Sequence, residues 1–173
     1  MKISIRGVSC SGKTTLAKLI AKELGIPHIE LDELFWLPNW EQRALHEFLN
    51  LVQDKLEKDS WVMDGNYSKV YNNLKIQYDY QIWLDYSLLK ILLRYFKRTF
   101  DRVFFKRKIC NGNTETIRSL FSSDALLIWI FKTYWKRKRE LSKLEKKGVN
   151  NLIIIKKEGD IKGTIEFLRR VMQ

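Results

Sequence analysis

The stretch GVSCSGKT, residues 7–14, follows the alternating run KISIR at 2–6 and opens an apolar-periodic segment from Lys13 to about Leu24. It fits G-x-x-x-x-G-K-[ST] in full and lies between a strand pattern and a helix pattern, the context in which that pattern cradles phosphate. Gly7 and Gly12 let the backbone wrap until its N–H groups point inward at phosphate oxygens. The helix that follows adds unpaired N–H groups and the positive end of its dipole. Lys13 is placed to reach β- and γ-phosphates, and the Thr14 hydroxyl to ligate Mg2+. With Ser9, Cys10, Ser11 and Thr15 these residues form the candidate nucleotide site, and ATP with Mg2+ is the expected ligand. Cys10 is a small residue on that loop, where the surrounding N–H groups favour a thiolate and hence oxidation.

Working outward, strand-like runs alternate with helical patterns. HIEL (28–31) follows Gly25 and Pro27, and Leu45, Phe48, Leu49, Val52 and Leu56 fall at helical spacing in a helix near 40–58. WVMD (61–64) and YQIWLD (80–85) read as strands, with a short turn or helix at 67–75 between them. Ser87 is placed to cap a long helix to about Phe105. A loop at 108–118, a second long helix around 124–147, a strand at 152–156 and a helix at 161–171 complete the pattern. This alternation predicts an α/β fold with a parallel sheet covered on both faces. A chain of 173 residues with 45% apolar content is expected to form one domain, 1–173.

Composition narrows the classes. Cys10 and Cys110 match no metal-ligand spacing and no disulfide scaffold, so a reducing cytoplasm is the expected location. No charged n-region with an apolar stretch marks a signal peptide. The longest apolar run, ALLIWIF at 125–131, is far too short to span a bilayer. Residues 87–147 hold 17 Lys or Arg against 5 Asp or Glu, while the rest of the chain balances at 15 against 15. The whole excess of +12 therefore sits in one segment, which points to a polyanion or phosphate-rich ligand there.

Carboxylates at strand ends are the remaining candidates. Asp64, in WVMDGNY, ends a strand and is positioned to anchor Mg2+; Asp85, in IWLDY, is the weaker candidate for that role. Asp32, after the second strand, suits an acceptor hydroxyl as well as it suits a turn. Phe35, Trp36 and Trp40 fit an acceptor pocket or the core, and Asn66 and Tyr67 fit acceptor contacts. Lys90, Arg94, Arg98, Arg102 and Lys106 recur every fourth residue, drifting about 40° per step into a slanting stripe. Arg94 and Arg98 are the best placed of these to reach transferring phosphates, with Arg118 beyond the loop as a third.

These segments resemble the adenylate-kinase-like P-loop small kinases, and more closely the branch of DNA topology modulation proteins of the FlaR type. The resemblance rests on the 7–14 loop, LDELFWLPNW, WVMDGNYS, IWLDYS and GNTETIR (112–118), and covers nearly the whole chain. It implies a P-loop NTPase three-layer αβα sandwich, a five-stranded parallel sheet of order 2-3-1-4-5, and a helical basic lid at 87–147. It further implies adenine near the last strand, Asp64 beside Mg2+, and Arg94 and Arg98 on the phosphates. Two departures stand out: Cys110 alone rules out a four-cysteine zinc lid, and the acceptor-helix arginine has only a rough counterpart in Arg43.

The expected function is therefore a kinase that transfers the γ-phosphoryl group of ATP·Mg to a small acceptor, with Lys13, Asp32, Arg94 and Arg98 catalytic. The alternative is a nucleotide-regulated nucleic-acid-binding protein affecting DNA topology, or a kinase acting on a nucleic-acid end. It rests on the basic 87–147 segment with its interleaved Tyr95, Phe96, Phe100, Phe104, Trp129, Tyr134 and Trp135, and would be sequence-tolerant. A membrane surface is a third reading. Against it, the apolar faces of these helices are expected to pack on the sheet and on each other.

Overall fold

The computed structural model describes residues 1–104, 111–114 and 126–172. Five strands, β1 (Lys2–Gly7), β2 (His28–Glu30), β3 (Trp61–Asp64), β4 (Tyr80–Leu84) and β5 (Leu152–Ile155), form one sheet in the order β2-β3-β1-β4-β5. Every pairing is parallel. Around it lie α1 (Lys13–Leu24), α2 (Leu31–Phe35), α3 (Leu45–Leu56), α4 (Ser68–Leu74), α5 (Leu88–Phe104), α6 (Leu126–Lys146) and α7 (Asp160–Met172). The parallel α/β architecture and the strand order match the expectation.

Alternate residues along a strand point to opposite faces, and the core divides accordingly. Ile3, Ile5, Val62, Ile82 and Leu84 join one cluster with Leu16 and Ile20 of α1 and Ile165 and Leu168 of α7. Ile29, Trp61 and Met63 join a second with Phe48 and Val52 of α3. All four residues of β3 are buried, as a central parallel strand requires. Each large apolar side chain buried this way contributes about 1.5–3 kcal/mol.

Register then sets the site. Ile5 lies opposite Asp64 and Gly7 opposite Leu84, so β1, β3 and β4 end side by side. The loops that leave these carboxyl ends share one edge of the sheet, where open α/β sheets bind ligands.

Two elements differ from the sequence pattern. The run HIEL stops being strand at Glu30, and Leu31, fully buried, already begins α2. The helix expected near 40–58 starts only at Leu45. Before it Pro38–Trp40 forms a single 3-10 turn, with Asn39 (φ 61) and Trp40 (φ 59) left-handed, a conformation that no α-helix can continue through. Ser87 does cap α5: its Oγ accepts the Lys90 N–H at 3.4 Å. Cys110 and Arg118 lie outside the described residues, as does most of the expected 108–118 loop. No helix among the described residues is long and apolar enough to cross a membrane.

Candidate functional site

The loop after β1 is held in shape by its own backbone. Gly7 has φ 151, and a Cβ there would lie 2.9 Å from both the Leu84 carbonyl oxygen and Ser11 Oγ, so no side chain fits. The Ser11 N–H closes a turn onto Val8 O at 3.1 Å, with Cys10 left-handed at φ 63. Gly12 precedes α1, and the Leu16 N–H donates to its carbonyl at 3.0 Å. Lys13 is half-buried and donates from Nζ to Val8 O at 3.1 Å. Burial lowers its pKa from the usual 10.5, with the Asp32 and Asp64 carboxylates opposing the drop and Arg98 adding to it. An ammonium disfavoured in this way gains when an anion arrives.

Asp64-Gly65-Asn66-Tyr67 ties the site together: Asp64 meets α1 and β2, Gly65 and Tyr67 meet α2, and Asn66 meets β1. Thr14 Oγ1 donates to Asp64 Oδ2 at 2.7 Å, and His28 Nε2 donates to Asp64 Oδ1 at 2.6 Å. Gly65 (φ 140) lets α2 approach, since a Cβ there would fall 2.8 Å from Leu31 Cβ. The Asn66 side chain brackets Gly7, donating from Nδ2 to its carbonyl at 2.6 Å and accepting its N–H on Oδ1 at 3.5 Å. Tyr67 OH donates to Asp32 Oδ1 at 2.6 Å. Arg137 of α6 reaches the same tetrapeptide through the Asn66 carbonyl at 3.3 Å.

Ser9, Cys10, Ser11, Gly12, Lys13, Thr14 and Thr15 line a cleft of about 1860 Å³, and Asp32, Phe35, Trp36, Trp40, Asn66 and Tyr67 line it with them. Arg94, Arg98, Lys132 and Arg137 face it from α5 and α6, while Asp64, 3% exposed, lies behind Thr14 and outside the lining. Arg94 donates to the Ser11 carbonyl and pairs with Glu158 at 2.6 Å, its guanidinium 4.4 Å above the centre of the Tyr86 ring. Glu158 also meets Lys90 at 3.3 Å, and hydrogen bonds from Arg94 and Lys90 pull its carboxyl below the usual range.

Besides Asp64, three residues of the sequence reading do not line the cleft. Gly7 is bracketed by Asn66 and does not itself line the cleft. Asp85 pairs with Lys138 at 2.6 Å, whereas Asp64 meets Thr14. Arg43 donates from Nε to Leu34 O at 2.8 Å and lies 3.8 Å from Glu47; it too is absent from the cleft lining. Arg118 lies outside the described residues.

Other contacts carried no local signal. His28 on β2, Glu158 in the turn before α7 and Arg137 on α6 reach the site's residues from elsewhere in the sequence. Asn111 and Asn113 are a further case. Asn111 Nδ2 donates to Glu33 O at 2.8 Å and Trp36 O at 2.6 Å. Asn113 donates to Leu37 O at 2.9 Å and accepts the Trp40 N–H at 2.8 Å, while Trp40 Nε1 donates to Thr114 O at 3.3 Å. The segment after α5 is thereby fastened to the wall that carries Trp36 and Trp40.

As a metal site, the donor set suits Mg2+. The Thr14 hydroxyl and the Asp64 carboxylate are adjacent hard oxygen donors, and Mg2+ is commonly held by one or two such groups together with water and substrate phosphates. Among the described residues no group of three or more His, Cys, Asp or Glu forms an all-protein cage. No protein-family model matches the chain, and no curated protein matches it.

Proposed function

We propose that the protein is a phosphotransferase of the adenylate-kinase-like P-loop type, moving the γ-phosphoryl group of ATP to a hydroxyl on a small acceptor. The observation that carries this reading is the meeting in one cleft of Ser9–Thr15, Lys13 among them, with the Asp32–Tyr67 pair, and of Thr14 there with the buried Asp64 behind it. The loop and the head of α1 would bind the triphosphate through backbone N–H groups, with Lys13 on its β- and γ-oxygens. Thr14 and Asp64 would hold Mg2+, which neutralises charge on the phosphates. His28 fixes the rotamer of Asp64 by engaging its other oxygen.

Asp32 is the proposed base. Tyr67 holds its Oδ1, which directs Oδ2 towards the acceptor. The acceptor oxygen bonds to the γ-phosphorus as the bond to the β–γ bridging oxygen breaks; the hydroxyl proton passes to Asp32, and ADP leaves. A hydroxyl acceptor suits this wall because Asp32 can take its proton, a step that a phosphate acceptor does not need. Arg43, of the β2–β3 connection, is committed to Leu34 and Glu47 and does not line the cleft. Arg94 and Arg98 would stabilise charge on the transferring group, with Glu158 giving way as phosphate takes its place on Arg94.

The test is ADP release from ATP·Mg with pooled acceptors: nucleosides, nucleoside monophosphates, hydroxylated metabolites, and 5′-hydroxyl DNA or RNA ends. Turnover that one pool raises and Lys13→Ala abolishes supports the proposal. Turnover that no pool raises, or that survives the substitution, overturns it.

A further inference from the structure

Helix α5 is apolar on two sides, and only one of them meets the core. Ile91 and Tyr95 are buried, with Leu88 and Leu92 packed beside them. Leu89, Leu93, Phe96, Phe100 and Phe104 recur at spacings of four, three, four and four, and are 57–71% exposed. At about 100° per residue this second stripe centres well over 120° from the buried one. It runs for four turns, about 22 Å. The sequence expectation that these faces pack on the sheet and on each other therefore fails for this stripe. Helix α6 repeats the arrangement: Ile130, Tyr134 and Leu141 are buried, while Phe131 and Trp135, which are not among the cleft residues, are 46% and 62% exposed. Its outward side also carries Lys136, Arg139 and Lys143, all exposed.

Scattered exposed apolar residues need no explanation, but two periodic stripes on neighbouring elements of the chain do. Charge selects the partner. Lys97 on α5 and Lys136, Arg139 and Lys143 on α6 are exposed outside the cleft lining, so a second copy brought against these faces would meet like charge. An uncharged apolar partner would leave the surrounding lysines unused. The occupant is therefore anionic and apolar together. A single nucleic-acid strand would need cations interleaved with rings along its track. On α5, however, Arg94, Arg98 and Arg102 line the cleft, Lys90 pairs with Glu158, and the outward stripe begins with two leucines that offer no stacking face. Leucine and phenylalanine along one helix with an exposed lysine, Lys97, among them, and exposed Trp135, Lys136 and Arg139 on the next, match acyl chains below anionic headgroups.

We propose that the outward faces of α5 and α6 rest on the surface of an anionic lipid bilayer, lying in its interface without crossing it. This surface is independent of the chemistry in the cleft and stands or falls apart from it.

Co-sedimentation of the full chain at physiological salt with vesicles of phosphatidylglycerol and phosphatidylcholine, against phosphatidylcholine alone, tests it. The expected result is binding to the anionic vesicles that weakens as salt rises, is at least about tenfold weaker without phosphatidylglycerol, and falls by a similar factor in Leu93→Ser/Phe100→Ser. Both substituted residues are exposed, so the thermal midpoint and ATP binding should stay at wild-type values, which separates lost contact from lost fold. Lys136→Glu/Arg139→Glu on α6 should weaken binding without touching the apolar stripe. Absence of binding to anionic vesicles overturns the proposal, as does equal binding by the variants. So does a wild-type dimer that Leu93→Ser/Phe100→Ser renders monomeric, or single-stranded DNA binding that the same variant abolishes and vesicles do not displace.

Discussion

The cleft edge of the sheet and the outer side of α5 are built from one chain to opposite standards. Around Gly7–Thr15 and Asp64–Tyr67 polar side chains are taken up by one another, Thr14 and His28 by Asp64, Asn66 by Gly7 and Tyr67 by Asp32, with Ser11 Oγ buried and unpartnered among them. Along α5 five large apolar side chains stay in water. The first region holds its shape before any ligand arrives, as preorganised sites do. The second is complete only against something else.

Four substitutions or conditions sharpen that contrast. The largest effect is expected from Lys13→Ala: turnover should fall by about 10²–10³-fold or more, because a charged donor to the transferring phosphates is lost. Thermal stability should hold, since Lys13 makes a single hydrogen bond, to Val8. A variant that unfolds would place Lys13 in the framework and blunt the contrast.

Asp32→Asn should follow, lowering kcat by about 10²-fold while leaving ATP affinity near wild type, as removal of a general base does. Tyr67→Phe, which frees Asp32 without removing it, should cost less. Equal losses in kcat and ATP affinity would mean that Asp32 shapes the nucleotide site instead.

Gly65→Ala tests the framework alone. It forces a Cβ to within 2.8 Å of Leu31 at a φ of 140, and should lower unfolding free energy by about 1–3 kcal/mol in urea titration. An unchanged midpoint would show that α2 can yield, and that the cleft is less rigid than its contacts suggest.

The mildest change is with pH. Burial sets the Lys13 pKa below 10.5 in the folded protein. Between that lowered value and 10.5 the unfolded chain holds a proton that the folded one has released, so the burial penalty present at neutral pH disappears as pH rises through this window. Nucleotide binding runs the other way: phosphate favours the protonated lysine, so ATP affinity should weaken several-fold towards pH 10. Lys13→Arg should flatten that dependence, since arginine keeps its proton, and a slope surviving in that variant would assign the titration to another group.

Much of this was legible in the residues. The 7–14 loop is local, and the spacing that names it also shapes it. Strand order followed from the resemblance of segments spread along the chain. Helix α2 was not legible, because LDELF is too short for periodicity and owes its place to the missing side chain at Gly65. His28 escaped notice because a single histidine on a strand has no spacing to mark it; only the β2–β3 pairing sets it against Asp64. Asp64 and Asp85 looked alike as strand-end carboxylates, and their separate partners, Thr14 and Lys138, are tertiary facts. The α5 stripes show a different limit: helical spacing reveals that a face is apolar but not whether the core or the outside receives it.

The five hydrogen bonds that fasten residues 111–114 to the wall at 33–40 have a consequence in time. All but one come from two asparagine side chains, and all join segments more than seventy residues apart in sequence. The wall at 33–40 opens only as fast as these contacts part together, so Asn111→Ala/Asn113→Ala should speed backbone hydrogen exchange there and leave exchange in Gly7–Thr15 unchanged.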